Sequence, residues 1–503
     1  MTRAEKRYFK LHVSRHKVAG QSVQKKLFDA MSSMEVYDEE ALLHKFKDRS
    51  FTNRFAITKR RLYESILHSL TDYHAGRSVD AQLMRRMQEV DILMDKALYS
   101  DGLKLLRSIE KQAERMEKHT MMLEVIQRKR RALEREKYAD RKALMELVQL
   151  SEDTLARIAQ IDALWSLKSR VFASLYRIGQ VRGEGRRNEL RSLLDDHSDR
   201  HQGPLLSDRA RYLFHHLQSA AAFALSELEN CHEHLSANLK VMETAPSHFI
   251  GTPGEVLAVL SNLTYVSMRM GRHSEARKLL ARFRGAPAEW GMPDSDDLEL
   301  KLFTMSYSLE LSIHSHQGAF DKAIAIVPAV DRGLQRYGDS MDPLRKGAFH
   351  YQCAYACYGH GELGEALKWC HRLLNGTGAD GGAELVGFGR VLELVIRCDK
   401  GDHDLLGYTL RNAERSFRIH HQDHHFETIF FRLVKQLIRS KNAGQTRSAY
   451  EQFLLDLGPV EKNPFDSVVF EHFDPVAWAT CKIEGGTYAG SVRRRAERSG
   501  KAA

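Results

Sequence analysis

One short pattern of residue types recurs through the second half of the chain at intervals of 40 to 47 residues. Each copy has a glycine, a small or apolar residue five positions later, and apolar residues near positions nine and twelve. The glycine and the residue five positions after it are Gly271 with Ala276, Gly318 with Ala323, Gly361 with Ala366, Gly401 with Leu406, and Gly444 with Ala449. Self-similarity at such a period is typical of helical solenoids. The chain is therefore predicted to be all-α, with an α-solenoid of helical hairpins over residues 201–457.

The pattern has a direct physical meaning for a helical hairpin. A glycine ends the first helix at little cost because it adopts the left-handed conformation. The residue five positions later lies where the two helices approach most closely, so a large side chain there would separate them. Residues at positions nine and twelve share one face of the second helix and are expected to seal the hairpin.

The pattern resembles the tetratricopeptide repeat, in which a glycine, a bulky residue two positions on and an alanine five positions on define the hairpin. The closest copy is Gly361-Glu-Leu-Gly-Glu-Ala-Leu-Lys-Trp-Cys370, and the likeness covers roughly residues 255–457. The period is longer than the family's, which is about 34 residues. Four positions of the family's first-helix pattern are replaced by His350, Cys353, Ala354 and Cys357. The resemblance implies an interaction scaffold that holds its ligand on the concave face of the first helices.

The regions before and after the repeats are predicted to be helical without the repeat pattern, apart from one candidate copy near residue 98. Residues 1–75 predict a basic helical region with short helices near 3–17, 21–33, 38–47 and 52–74. Residues 76–200 predict a long-helix bundle or an early part of the solenoid, with two or three long helices between residues 79 and 180. Leu98-Tyr99, followed by Gly102, Leu106 and Ile109, is a candidate outlying copy of the repeat. Residues 458–503 predict a cap over the last repeat and a basic tail that frays beyond Gly485-Gly486.

The positive charge of the chain is concentrated at its two ends. The net charge is +10, of which residues 1–75 carry +6 and residues 488–503 carry +4. Basic side chains beside aromatic ones suit RNA or single-stranded nucleic acid. The candidate partner-binding residues are Lys6, Arg7, Tyr8, Lys10, Lys59, Arg60 and Arg61. The alternative, which is favoured, is that Tyr8, Phe9 and Leu11 form the apolar face of a first helix docked on its neighbours.

A histidine cluster, His420, His421, His424 and His425, is a weak candidate for a metal site. Its i,i+4 spacing would let two imidazoles share Zn²⁺ or Ni²⁺. The alternative, a polar helix surface that is rich in histidine, is favoured. The sequence has no phosphate-binding loop and no arguable pairing of nucleophile and base, so we expect a non-enzymatic protein without a cofactor.

The remaining bulk features point to a cytoplasmic protein. The chain has no apolar run long enough to cross a membrane and no secretory signal at its start. Its six cysteines are sparse and fit reduced thiols better than a disulfide framework. The expected function is a scaffold or regulator that binds a protein or peptide. The alternative is a nucleic-acid- or ribosome-associated protein that uses the basic ends. The sequence does not indicate an oligomeric state.

Overall fold

The structure is a computed structural model of the whole chain. It describes residues 1–15, 21–34, 37–46, 54–74, 76, 79–178, 188, 190–192, 194, 203–249, 251–376, 383–419, 425–463 and 469–502. Every regular element in these ranges is a helix, as the fold prediction expects, and the ranges contain no strand.

The chain divides into two compact units, Met1–Thr154 and Leu155–Ala503. The division lies inside one long helix, Arg141–Ile178, whereas the sequence analysis placed a break near residue 200. The finer division into four regions stays a prediction.

Four short helices at the start of the first unit agree with the expected segments. They are α1 (Arg3–Arg15), α2 (Gln21–Ser32), α3 (Glu39–Lys45) and α4 (Phe55–His74). Asp38 caps α3, because its carboxylate accepts a hydrogen bond from the backbone N–H of Ala41 at 3.0 Å. Phe9, Leu27 and Leu42 form the core that joins these helices.

The rest of the first unit consists of α5 (Val79–Asp95), α6 (Tyr99–Arg115), α7 (His119–Arg135) and the start of α8 (Arg141–Ile178). The prediction of two or three long helices between residues 79 and 180 is therefore wrong. The turns between these helices contain non-glycine residues with positive φ, such as Ala97 at 60° and Glu117 at 48°. No glycine or proline marks these turns in the sequence, which is why they were not predicted.

The second unit contains six successive helical hairpins. Their helices are α9 (Asp208–Ala224) and α10 (Leu228–Thr244), α11 (Pro253–Arg269) and α12 (His273–Glu289), α13 (Asp296–His316) and α14 (Phe320–Tyr337), α15 (Pro343–His360) and α16 (Leu363–Gly376), α17 (Ala383–Lys400) and α18 (His403–Ile419), and α19 (His425–Arg439) and α20 (Ala443–Lys462). Each helix packs against the next along the chain, and α11, α13, α15 and α17 also pack in sequence. The second unit is therefore solenoid-like, in agreement with the fold prediction.

Four of the five predicted repeats have the expected turn geometry. Gly271, Gly318, Gly361 and Gly401 have φ between 65° and 96°. The residue five positions later is buried in each case, and Ala276, Ala323 and Ala366 have no exposed surface. The close approach of the paired helices at this position explains why the side chain is small in three of the four copies.

The fifth predicted repeat is wrong in its turn. Gly444 lies inside α20, and the cap of that helix is Asn442, whose side chain accepts a hydrogen bond from Gln445 N. Ala449 is nevertheless buried. A polar N-cap therefore starts this helix without a glycine in the left-handed region.

A further hairpin, α9–α10, escaped the sequence pattern. Ser226 occupies the left-handed position with φ of 60°. Cys231 takes the place of the alanine five positions on, and Leu235 follows at position nine, both at most 2% exposed. The pattern is thus physically the same with other small and apolar residues.

The chain ends in three helices, α21 (Val469–His472), α22 (Pro475–Glu484) and α23 (Tyr488–Ala502). The prediction that the chain frays beyond Gly485-Gly486 is wrong, because α23 buries Tyr488 and Val492. No helix among the described residues combines the length and the apolar character needed to cross a bilayer.

Candidate interaction surface

The first helices of the middle hairpins, α11, α13, α15 and α17, carry a surface that we call the first-helix face. The C-terminal segment, residues 469–502, contacts residues on each of these helices as well as α20. The predicted cap therefore reaches well beyond the last repeat. The contacts fall into three groups, which are described in chain order.

The first group surrounds Glu471 of α21. Its carboxylate forms an ion pair with Arg269 and accepts a hydrogen bond from the Tyr265 hydroxyl at 2.9 Å. Burial raises the pKa of Tyr265, so this hydroxyl stays protonated and donates. The Glu471 side chain is only 7% exposed. Two polar groups of α11 thus compensate the burial of one carboxylate.

His316, at the end of α13, lies beside this ion pair. Burial, together with the positive charge of Arg269, lowers the pKa of His316 to about 4. The folded state therefore resists protonation of this imidazole, whereas an unfolded chain binds the proton near pH 6.5. The contribution of the neutral His316 imidazole to the free energy of unfolding is fully present above pH 6.5 and is lost as the pH falls towards 4.

Between pH 7.5 and pH 5, protonation of His316 is expected to lower the free energy of unfolding by about 2 kcal/mol. Urea titrations followed by circular dichroism at both pH values measure the drop. The variant His316→Asn should reduce the total drop by about 2 kcal/mol, although His216, whose pKa burial also lowers to about 4, still contributes, and His425→Asn, at an exposed position, should leave the profile unchanged. Equal profiles for His316→Asn and the unaltered chain would contradict the assignment.

The second group of contacts joins α15 and α17 to α21 and α22. The Tyr351 hydroxyl donates to the backbone oxygen of His472 at 3.0 Å, and the His472 ring stacks on Phe388 with centroids 4.1 Å apart. Hydrogen bonds to a main-chain oxygen fix the position of a segment independently of its side chains. The face thus holds both the backbone and the side chains of the C-terminal segment.

Asp399 of α17 is the polar centre of this region. Its carboxylate accepts from the indole N–H of Trp478 at 2.9 Å, from the Tyr358 hydroxyl at 3.0 Å, and pairs with Lys482 at 2.9 Å. Burial raises the pKa of Tyr358 well above its ordinary value, which keeps its hydroxyl a donor. One carboxylate therefore connects α15, α17 and α22.

The third group involves α23. The hydroxyls of Tyr355 and Tyr488 lie 2.8 Å apart, and the Asp474 backbone N–H donates to Tyr488 at 3.1 Å. Arg493 donates to the backbone oxygen of Gly318 at 3.3 Å. A Cβ atom at Gly318 would lie 2.7 Å from backbone atoms of α23. This glycine therefore permits both a turn and the docking of the last helix.

The first helices, on which the repeat resemblance places a ligand, are thus contacted by the chain's own C-terminal segment. The density of apolar side chains in this segment signalled burial. No sequence signal indicated that Glu471, Trp478 and Tyr488 pair with Arg269, Asp399 and Tyr355, because these partners lie between 79 and 202 positions away along the chain.

Half of the six basic residues proposed for partner binding are engaged in ion pairs within the first unit. Three of them form ion pairs, Lys10 with Asp29, Lys59 with Glu39 and Arg60 with Glu64, at 2.7, 2.7 and 3.0 Å. Lys6 is partly buried, and Arg7 and Arg61 are exposed. Such exposed pairs contribute little to stability, but they reduce the free positive charge.

Tyr8 and Phe9 pack within the first unit. The Phe9 side chain is fully buried and its ring lies 4.4 Å from that of Phe28, while Tyr8 lies 5.1 Å from Tyr73. The alternative interpretation, a docked first helix, fits the contacts of Tyr8 and Phe9, but it is wrong for Leu11, which is 51% exposed. Glu5 pairs with His74 at the end of α4, and Lys59 precedes that end by about 22 Å at 1.5 Å per residue. The basic residues of α1 (Lys6, Arg7 and Lys10) and those of α4 (Lys59, Arg60 and Arg61) therefore do not form one patch.

Of the histidine cluster, His420, His421 and His424 lie outside the described residues, and His425 begins α19 with an exposed side chain. The metal hypothesis for this cluster stays a prediction. The three cysteines near α15 and α16, namely Cys353, Cys357 and Cys370, are buried in the core with their thiol pKa values raised by burial.

The geometry defines an all-α protein whose larger unit is a stack of helical hairpins with a C-terminal segment docked on its first-helix face. No family model matches the chain, and no match was found among curated proteins or solved structures.

Proposed function

We propose that this protein is a non-enzymatic interaction scaffold, a divergent relative of tetratricopeptide-repeat proteins that binds a partner protein or peptide on its helical hairpins. The observation that carries the proposal is the first-helix face itself. This face binds the chain's own C-terminal segment. Arg269 pairs with the buried Glu471 carboxylate, and Tyr351 and Phe388 contact the backbone oxygen and the ring of His472. The same groups suit a partner segment of similar chemistry.

The turn geometry supports the proposed relationship. Left-handed glycines at Gly271 and Gly361 are each followed by a buried alanine five positions on. A cytoplasmic location belongs to the same proposal, because all six cysteines are free thiols and reduced thiols are usual in that compartment.

The test is affinity purification of the full chain from native lysate, divided into a nuclease-treated and an untreated half. A stoichiometric protein partner that survives nuclease, and that binds again when both proteins are purified, is the expected result. Bait carrying Trp478→Ala should capture more of the partner, because that side chain anchors the C-terminal segment that competes for the same face. Bait carrying Trp165→Ala, at an exposed position, should capture as much of the partner as the unaltered chain.

A partner set that vanishes with nuclease would instead favour the second candidate, a nucleic-acid- or ribosome-associated protein. Arg7 and Arg61, exposed and outside the ion pairs described above, are the observation behind this candidate. Binding through phosphates should weaken steeply between low and moderate salt. Binding that is insensitive to salt would count against it.

A further inference from the structure

The outer face of α18 carries a row of three arginines, Arg411, Arg415 and Arg418. Positions i, i+4 and i+7 lie on one side of a helix, and all three side chains are exposed. None of the three forms a hydrogen bond or an ion pair with another described residue. Neighbouring arginines at i,i+4 repel each other and lower helix stability by a few tenths of a kcal/mol, so the row does not serve the fold.

Some other exposed arginines in the second unit have acidic partners. Examples are Arg336 with Glu299 at 2.7 Å, Arg345 with Asp342 at 3.4 Å and Arg447 with Glu451 at 2.9 Å. Others, such as Arg332 and Arg439, have no acidic partner among the described residues, but α18 places three such arginines on one side of a single helix, which concentrates positive charge there.

The acidic groups of α18 do not neutralise the row. Glu414 pairs with Lys435 of α19 at 2.5 Å. Asp404 lies seven residues before Arg411, which is about 10 Å along the helix axis and too far for an ion pair.

A second row beside the arginines is apolar and exposed. Leu405, Tyr408 and Ile419 are 48%, 59% and 60% exposed. At about 100° per residue, all three lie on the same flank of the arginine row. The opposite side of α18 buries Leu406 and Phe417 in the hairpin core, so the helix has one face for folding and another that is left to solvent.

We propose that this outer face of α18 docks an acidic amphipathic helix of a partner protein. Carboxylates spaced at i, i+4 and i+7 on the partner would meet the arginine row, and apolar side chains beside them would cover Leu405, Tyr408 and Ile419. Arginine and tyrosine are the residues enriched at the centre of protein interfaces. A nucleic acid could use the arginines and stack on Tyr408, but it would leave the aliphatic Leu405 and Ile419 uncovered. The inference rests on the proposed scaffold function and adds a surface other than the first-helix face.

The test uses the full chain and a fluorescein-labelled designed peptide of about five helical turns, with glutamates at i, i+4 and i+7 beside a row of leucines. Fluorescence anisotropy should detect binding of this peptide, and a scrambled peptide of the same composition should bind roughly tenfold more weakly. Replacing Arg411, Arg415 and Arg418 with glutamine should weaken binding by about tenfold, from three pairs of about 0.5 kcal/mol each. Tyr408→Ala should weaken it as well.

The matched control replaces Arg336, Arg345 and Arg447 with glutamine, which removes the same charge from arginines that have acidic partners. This control should change the affinity by less than about twofold, because screened charges act weakly at a distance. Equal losses in the two triple variants, or no binding of the designed peptide, would overturn the proposal. Tighter binding of an oligouridylate that depends on the same arginines would also overturn it, in favour of a nucleic acid.

Failure here and failure of the scaffold function are distinguishable. If a partner survives nuclease in the affinity purification and binds the arginine-row variant normally, the scaffold proposal stands and the α18 docking surface does not.

Discussion

Replacing Gly318 with alanine is expected to lower the free energy of unfolding by about 3 kcal/mol. The left-handed backbone costs an alanine about 1–2 kcal/mol, and forcing a methyl group into filled space costs about 1–3 kcal/mol more. Here φ is +65°, and the new Cβ would lie 2.7 Å from the Ala489 oxygen and the Arg493 nitrogen. Backbone atoms of α23 cannot move aside as a flexible side chain could. Urea unfolding followed by circular dichroism measures the loss.

The matched control is Gly401→Ala. Gly401 has nearly the same φ, +71°, but nothing lies within 4 Å of its added Cβ. Only the backbone cost remains, so we expect a loss of about 1 kcal/mol. If both variants lose the same amount, α23 does not pack on the turn of the third hairpin, and the docking of the C-terminal segment at that point is refuted.

Replacing Trp478 with alanine is expected to lower the free energy of unfolding by about 3–5 kcal/mol, the range for removing a large aromatic side chain from a core. Trp478 has no exposed surface, and its ring lies 5.4 Å from Tyr450 and 6.0 Å from Phe430. The variant also removes one of the donors to the Asp399 carboxylate, which adds a desolvation cost.

Trp165→Ala is the control for this experiment. Trp165 belongs to the same unit and is 55% exposed, so its removal should change the free energy of unfolding by about 0.5 kcal/mol or less. Both variants are compared by urea unfolding with circular dichroism detection, since fluorescence would change with the tryptophan itself. A Trp478→Ala loss no larger than that of Trp165→Ala would show that the segment does not anchor on α17 and α20.

The turn residues illustrate how far sequence reasoning extends. Gly271 and Gly361 were identified because glycine is the cheapest left-handed residue. Ser226 and Ala97 have the same backbone conformation, with φ of 60° in each, yet their side chains give no such signal. Conversely, Gly444 was placed in a turn although it lies within α20. A residue type indicates what the backbone can adopt at low cost, and the packing of the paired helices selects what it does adopt.

The candidate surfaces show the same limit. The basic charge of residues 1–75 is evident from composition, but only the folded first unit places Lys59 beside Glu39 and Lys10 beside Asp29. The arginine row of α18 gives no such signal, because local sequence does not reveal that the described part of the fold provides it with no acidic partner.

By itself the sequence determined the all-α class, the hairpin period and the alanine at three of the close helix contacts, namely Ala276, Ala323 and Ala366. These features follow from local conformational preference and from the spacing of apolar residues along one helix. Only the tertiary structure decided that the C-terminal segment occupies the first-helix face, where Glu471 meets Arg269 and Trp478 meets Asp399. That choice depends on the burial of polar groups with partners far away along the chain, and local preferences carry no information about such pairs.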